Sequence, residues 1–197
     1  MVERRGTYVA LLRGINVGGA NIIPMAALRR LFERLGFSDV RTYIQSGNVI
    51  FRAPATGARR REALIERALT MEFGYTAAVV LRSDAQMRAT VTDAPHGFGS
   101  AADEYRYDVV FVKAPLTAEE ALASVRTREG VDAAWAGNGV IYFSRLISRA
   151  AQSYLPRLAG LPIYKQMTVR NWNTTTKLLR LIEGNSGSAR GDRATLA

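Results

Sequence analysis

Two hairpin signals of one kind occur in the two halves of this 197-residue chain: Ser46-Gly47-Asn48-Val49-Ile50-Phe51 and Ala136-Gly137-Asn138-Gly139-Val140-Ile141-Tyr142-Phe143. Each sets a Gly/Asn turn against a run of β-branched and aromatic residues, the pattern of a tight antiparallel turn. Each also follows an apolar strand and a helical stretch, so the halves read as loosely duplicated units. In the first, strands are expected at 7–13, 40–44, 49–51 and 77–81, with helices at 24–35 and 58–73. Met25, Leu28, Leu31, Phe32 and Leu35 recur at helical spacing after Pro24, and Gly36 is a natural stop. Leu64, Ile65, Ala68 and Leu69 form the second stripe, and Gly74 ends it.

The second half repeats the plan. A short helix is expected at 84–91, a strand at 105–113, a helix at 118–125, and a hairpin pairing 131–136 with 140–143. A further helix is expected at 150–158. Over 167–182, Thr168 is expected to cap a helix whose apolar face includes Val169, Trp172, Leu179 and Ile182. From Gly184 onward Gly, Ser, Ala and Arg dominate, which reads as a disordered tail. The fold class expected is α+β: two ferredoxin-like units, antiparallel sheets backed by helices and closely packed. The division is 1–82, 83–183 and a tail over 184–197.

The two units differ at one connection. In the second, Ala114-Pro115-Leu116-Thr117 joins the first strand to its helix. In the first the link is the long 13–23 loop, which opens Arg13-Gly14-Ile15-Asn16-Val17-Gly18-Gly19-Ala20-Asn21. A scaffold that closes without these residues in one copy does not require them in the other, and ligand contacts concentrate on such loops. A ferredoxin-like order brings this loop beside the hairpin turn, so Arg13, Asn16, Gly18, Gly19, Asn21, Ser46 and Asn48 are expected to form one ligand-binding cluster. Arg170, Asn171 and Asn173 are expected to close it from a helix N-terminus in the second half. The cluster offers a cation, amides, a hydroxyl and backbone N–H groups but no carboxylate, which suits phosphate, carboxylate or carbonyl groups. It lacks the paired acids of a glycosidase. Its spacing is neither a Walker A nor a dinucleotide fingerprint. The bland reading is that the asparagines cap the loop's own backbone and Arg13 pairs with an acid.

Composition narrows the chemistry. There is no cysteine and one histidine, His96, in a Pro/Gly loop. That excludes disulfides, thiolate metal sites, iron–sulfur clusters and a cysteine nucleophile. It also leaves little ground for a Ser-His-Asp triad. No metal and no cofactor is expected. The formal net charge of +10 comes mostly from arginine and favours phosphate or acidic partners. No apolar run approaches the length of a membrane span. The opening residues lack the apolar core of a secretory signal, which makes the cytoplasm the expected location.

Leu11-Leu12-Arg13-Gly14-Ile15-Asn16-Val17-Gly18-Gly19, Ser46-Gly47-Asn48-Val49 and Thr168-Val169-Arg170-Asn171-Trp172-Asn173-Thr174 together resemble one bacterial family, domain of unknown function 1697. The resemblance covers residues 7–183. It implies two α+β units of ferredoxin-like topology in a bacterial cytosolic protein, and no activity.

Three functions stay open on the sequence. One is binding of an anionic or phosphorylated small ligand at the Gly-rich loop, with enzymatic activity undecided. Any catalysis there would fall to Tyr43, Ser46 or Lys177. A second is weak, non-specific nucleic-acid binding through basic residues such as Arg59-Arg60-Arg61, since Tyr8 and Phe51 do not make the RNA-recognition pattern. The third is a structural or partner-binding protein whose loop braces its own halves.

Overall fold

β1 (Arg5–Arg13) is the centre of the first sheet because its residues are apolar toward both faces. Tyr8, Ala10 and Leu12 point to one side, Val9 and Leu11 to the other, and all five are buried. The computed structural model describes residues 5–188 apart from 17–21, 56, 75 and 77. The first sheet also contains β2 (Ser38–Tyr43), β3 (Asn48–Pro54) and β4 (Ala78–Ser83), in the order β2-β3-β1-β4. Every pairing is antiparallel, and β1 bonds to β3 and β4 but not to β2. That is the ferredoxin-like order. α1 (Met25–Arg34) and α2 (Ala58–Phe73) cover one face through Leu28, Leu31, Phe32, Ile65 and Leu69.

The second sheet repeats the order. β5 (Tyr105–Val112), β6 (Asp132–Gly137), β7 (Val140–Leu146) and β8 (Met167–Asn171) lie as β6-β7-β5-β8, again all antiparallel. α3 (Asp84–Thr92) stands between the two sets of strands in the chain, α4 (Ala118–Ser124) follows β5, and α5 (Trp172–Ser188) follows β8. The outer face is covered by α4 and the segment between β7 and β8, through Ala118, Ala121, Leu155 and Leu158.

The inner faces of the sheets share one core. Val9, Leu11, Ile50 and Val80 of the first pack with Val109, Phe111, Val140 and Tyr142 of the second, joined by Met87 of α3 and Leu178 and Ile182 of α5. Each such side chain, once buried, contributes about 1.5–3 kcal/mol. The sheet face opposite α1 and α2, which RNA-binding domains of this topology leave open, is in the first sheet an interior surface.

Three local expectations are corrected. Residues 150–158 do not form an α-helix. Three short 3-10 helices, Ile147–Gln152, Leu155–Gly160 and Pro162–Gln166, connect β7 to β8 instead. Pro156 and Pro162 each remove a backbone donor near a helix start, which limits these turns to short pieces. Thr168 caps no helix: it lies in β8, buried opposite Phe111. The cap is Asn171, whose Oδ1 accepts the N–H of Thr174 at 2.7 Å. α5 continues through Gly184 to Ser188, past the point where the composition reads as tail.

Candidate functional site

The end of β1 and the β2–β3 turn lie together, as the topology requires. The Leu12 N–H donates to the Gly47 carbonyl at 2.8 Å. Gly47 takes φ +77, and a β-carbon there would sit 2.8 Å from Leu12 Cβ and 2.9 Å from Ile15, so the turn closes only on glycine. Asn16, at φ +53, brackets the loop. Its Nδ2 donates to the carbonyls of Ile23 and Gln45, and its Oδ1 accepts the Ile23 N–H at 2.7 Å. Ile15 and Ile23 are both buried in the first core, so each end of the loop is anchored by packing. Gly18, Gly19 and Asn21 lie outside the described residues.

Arg170 enters this region from β8 in the other half. It is buried, and its Nε donates to Asn48 Oδ1 at 2.6 Å. Nη2 donates to the carbonyls of Leu12 at 2.8 Å, Ser46 at 3.0 Å and Gly47 at 3.3 Å. Nη1 donates to Thr168 Oγ1 and the Val169 carbonyl. Burial brings the guanidinium down to about 10, so it stays charged at neutral pH. Asn48 is fully buried too, with Nδ2 donating to the Tyr43 carbonyl and Ser46 Oγ. The Arg13 guanidinium lies 5.6 Å from the Tyr164 ring centroid, a cation–π contact with the second half. Arg13, Asn16, Ser46, Asn48 and Arg170 are thus brought together: Asn48 bonds to Ser46 and Arg170, Asn16 and Arg170 bond to main-chain carbonyls, and Arg13 lies against Tyr164.

Arg82 makes the mirror-image contact. It pairs with Val9 on β4 as Arg170 pairs with Val109 on β8. Its Nη2 donates to the carbonyls of Val112 and Gly139, each at 2.7 Å, at the corresponding end of β5 and turn of the β6–β7 hairpin. Burial brings it also to about 10, with Glu62 opposing the shift. Each half therefore sends one buried arginine into the other's strand end and hairpin turn.

Asn171 and Asn173 do not join that cluster. They lie at the start of α5, on the wall of a cleft of about 340 Å³ that also takes in Arg106, Asp108, Arg145 and Trp172. The cleft exists because β8 stops at Asn171, opposite Asp108, while β5 runs on to Tyr105. Gly99, at φ +89, lets the preceding loop lie against Trp172, where a β-carbon would come within 2.3 Å of the indole nitrogen. Asp108 is 7% exposed and faces Arg145 at 3.3 Å. Among the described residues neither Asp108 Oδ2 nor Arg145 Nε has a hydrogen-bond partner, so the pair is a charge contact without aligned bonds. Burial holds the Asp108 carboxyl above the ordinary aspartate range, against the pull of Arg145 and Arg106. Two arginines, two amides and a helix N-terminus beside a single carboxyl suit an oxyanion.

Sequence reasoning missed Asp108, Arg106 and Arg145. The available signal was a lone acid at the start of an apolar strand run, Tyr105-Arg106-Tyr107-Asp108-Val109-Val110. Of the residues considered for catalysis, Tyr43 is half-buried and packs against the central core, and Lys177 is exposed on α5. In the basic run, Arg61 is buried, with its guanidinium 4.4 Å from the Tyr8 ring centroid and a bond to the Pro54 carbonyl, while Arg59 and Arg60 are exposed. Among the described residues no cluster of acidic, histidine or cysteine side chains could hold a metal ion, and no helix is long and apolar enough to cross a membrane.

The chain belongs to the family of proteins of unknown function DUF1697, whose model matches residues 6–142. That span contains the first two signature blocks, and the Thr168–Thr174 block lies beyond it. A solved structure of the conserved bacterial protein SP0830 from Streptococcus pneumoniae is similar in fold, with a TM-score of 0.78 at 24% identity over 91% of this chain and 99% of that one. No curated protein matches the chain.

Proposed function

We propose that this protein binds an anionic small ligand in the cleft at the start of α5, and that the Gly-rich loop and Arg170 serve as the brace between its halves. The observation that carries the reading is the lining of the cleft: Arg106 and Arg145 with the amides of Asn171 and Asn173, against the single carboxyl of Asp108. Donors outnumber the one carboxyl there, and an oxyanion accepting from Arg106 and Arg145 suits such a set. The side chains of Arg170, Asn48 and Asn16 all bond within the protein, which supports a bracing role there. The small-ligand reading thus keeps its chemistry, with Asn171 and Asn173 among its residues, and moves to the second half.

The test is a titration with inorganic phosphate, followed by the fluorescence of Trp172 in the cleft wall. Saturable binding is expected, weakened about tenfold by Arg106→Gln, since a charge-assisted hydrogen bond contributes roughly 1.5–3 kcal/mol. Arg106 is exposed, so its replacement leaves the fold intact. Phosphate binding that ignores Arg106→Gln, or that never perturbs Trp172, contradicts the assignment.

A further inference from the structure

A second cleft adjoins the first, and Tyr105 and Tyr107 line both. It measures about 250 Å³ and is lined by His96, Phe98, Trp135 and Ser144 together with those two tyrosines. Its walls are mostly aromatic. The Phe98 ring stands edge-on to Tyr107 at 4.8 Å and lies 6.3 Å from Trp135, which is 40% exposed on β6. On its other side Phe98 meets Trp172 of the anion cleft at 5.1 Å, so one packed ring links the two. Tyr105 and Tyr107 share a face of β5 with Val109 and Phe111, the inner face opposite α4. In the first sheet that face is closed by the second half. Here, beyond the end of β8, it is open.

Resting on the anion reading above, we propose that the ligand is a nucleoside phosphate, its phosphate in the Asp108–Arg145 cleft and its base among Trp135, Phe98 and Tyr107. Three observations converge on this class. An exposed indole with rings beside it is a stacking surface for a flat heteroaromatic ring. His96, Ser144 and the tyrosine hydroxyls are hydrogen-bonding groups at the cleft, of the kind that hold base edges and ribose hydroxyls. The two clefts together have the size that ordinarily accepts a cofactor-sized ligand, about 300–1,000 Å³. A simple inorganic anion uses only the first cleft, and an uncharged aromatic only the second. The shared chemistry is one nucleotide, free or at the end of a strand.

Each cleft carries one of the chain's two tryptophans, so the variants Trp135→Phe and Trp172→Phe report on the clefts separately. Each is titrated with inorganic phosphate, adenosine, AMP and a 5′-phosphorylated ribonucleotide hexamer. AMP is expected to quench both tryptophans and to bind at least tenfold more tightly than phosphate, while phosphate perturbs Trp172 alone. Trp135→Ala is expected to reduce AMP to the affinity of phosphate and to leave phosphate binding unchanged. A hexamer that matches AMP identifies a free nucleotide as the ligand, and one tighter by tenfold or more identifies a strand end. AMP that binds no better than phosphate, or that leaves Trp135 silent, overturns the nucleotide proposal while the anion site stands. Failure of phosphate itself to reach Trp172 removes the anion site and this inference with it.

Discussion

Arg82 and Arg170 stand at the same register position in two sheets of the same order, and each crosses into the opposite half to hold a strand end and a hairpin turn. Their surroundings differ. Opposite Leu11 in the first sheet is Asn48; at the matching place opposite Phe111 is Val140. So Arg170 gains a side-chain acceptor in Asn48, while Arg82 bonds to carbonyls alone. The cations one step after Leu12 and Val112 differ as well: Arg13 lies against Tyr164, and Lys113 pairs with Glu66 of α2. The first half has put its extra polarity into the joint between the units. The second half keeps its hairpin end apolar and has its charged residues Asp108 and Arg145 at an open cleft. On the proposed reading, the duplicated fold separates holding from binding.

The comparison breaks most sharply at the two arginines. Arg170→Met removes the donor to three carbonyls of the other half and to Asn48, and is expected to cost about 3–5 kcal/mol. Arg82→Met leaves fewer acceptors stranded and is expected to cost about 2–3 kcal/mol. Urea unfolding of both variants checks the order. Equal losses would show that the Asn48 contact adds nothing.

Asn48→Val makes the first hairpin resemble the second. It leaves Arg170 Nε and the Tyr43 carbonyl without their partner, at an expected cost of about 2 kcal/mol. A variant as stable as wild type would mean that the polar hairpin end is not part of the joint.

The smallest effect is the pH dependence of the cleft. The folded Asp108 carboxyl is held above its unfolded value, so its contribution to stability is complete below the unfolded value and is lost as pH rises through the folded one. Asp108→Asn stays neutral and should show a shallower fall in stability over that window, by urea unfolding at a series of pH values. Sulfate, whose charge is constant there, should bind wild type more weakly as Asp108 ionises beside Arg106 and Arg145. In Asp108→Asn that dependence should vanish.

Much of the fold was legible because it is written in periodic patterns. The apolar stripes of α1 and α2 and the Gly/Asn turns place the first sheet, and the second hairpin places its counterpart. The helix expected after a Thr168 cap instead starts after the strand Met167–Asn171, whose five residues of mixed polarity beside a strong helical stripe carry too little alternation to stand out. The same length limit hid the 3-10 segments. Juxtaposition of the loop and the hairpin follows from topology, whereas the place of Arg170 depends on how the second half packs on the first. That Asn48 and Arg170 would be spent on each other does not follow from topology either, because burial of a polar side chain depends on which surface the other half covers. Asp108 was hidden for the same reason. Its significance comes from where β8 stops, and no residue near it announces that end.

The division of labour between the halves is tested most directly by one head-to-head titration. Arg13→Ala and Arg106→Gln are compared with wild type for phosphate binding, each with its thermal unfolding recorded. The expected result is that Arg13→Ala binds phosphate as wild type does while losing about 1 kcal/mol of stability with its cation–π contact. Arg106→Gln should keep its stability and lose about tenfold in affinity. The reverse pattern, binding abolished by Arg13→Ala and untouched by Arg106→Gln, would return the ligand to the Gly-rich loop and contradict the account.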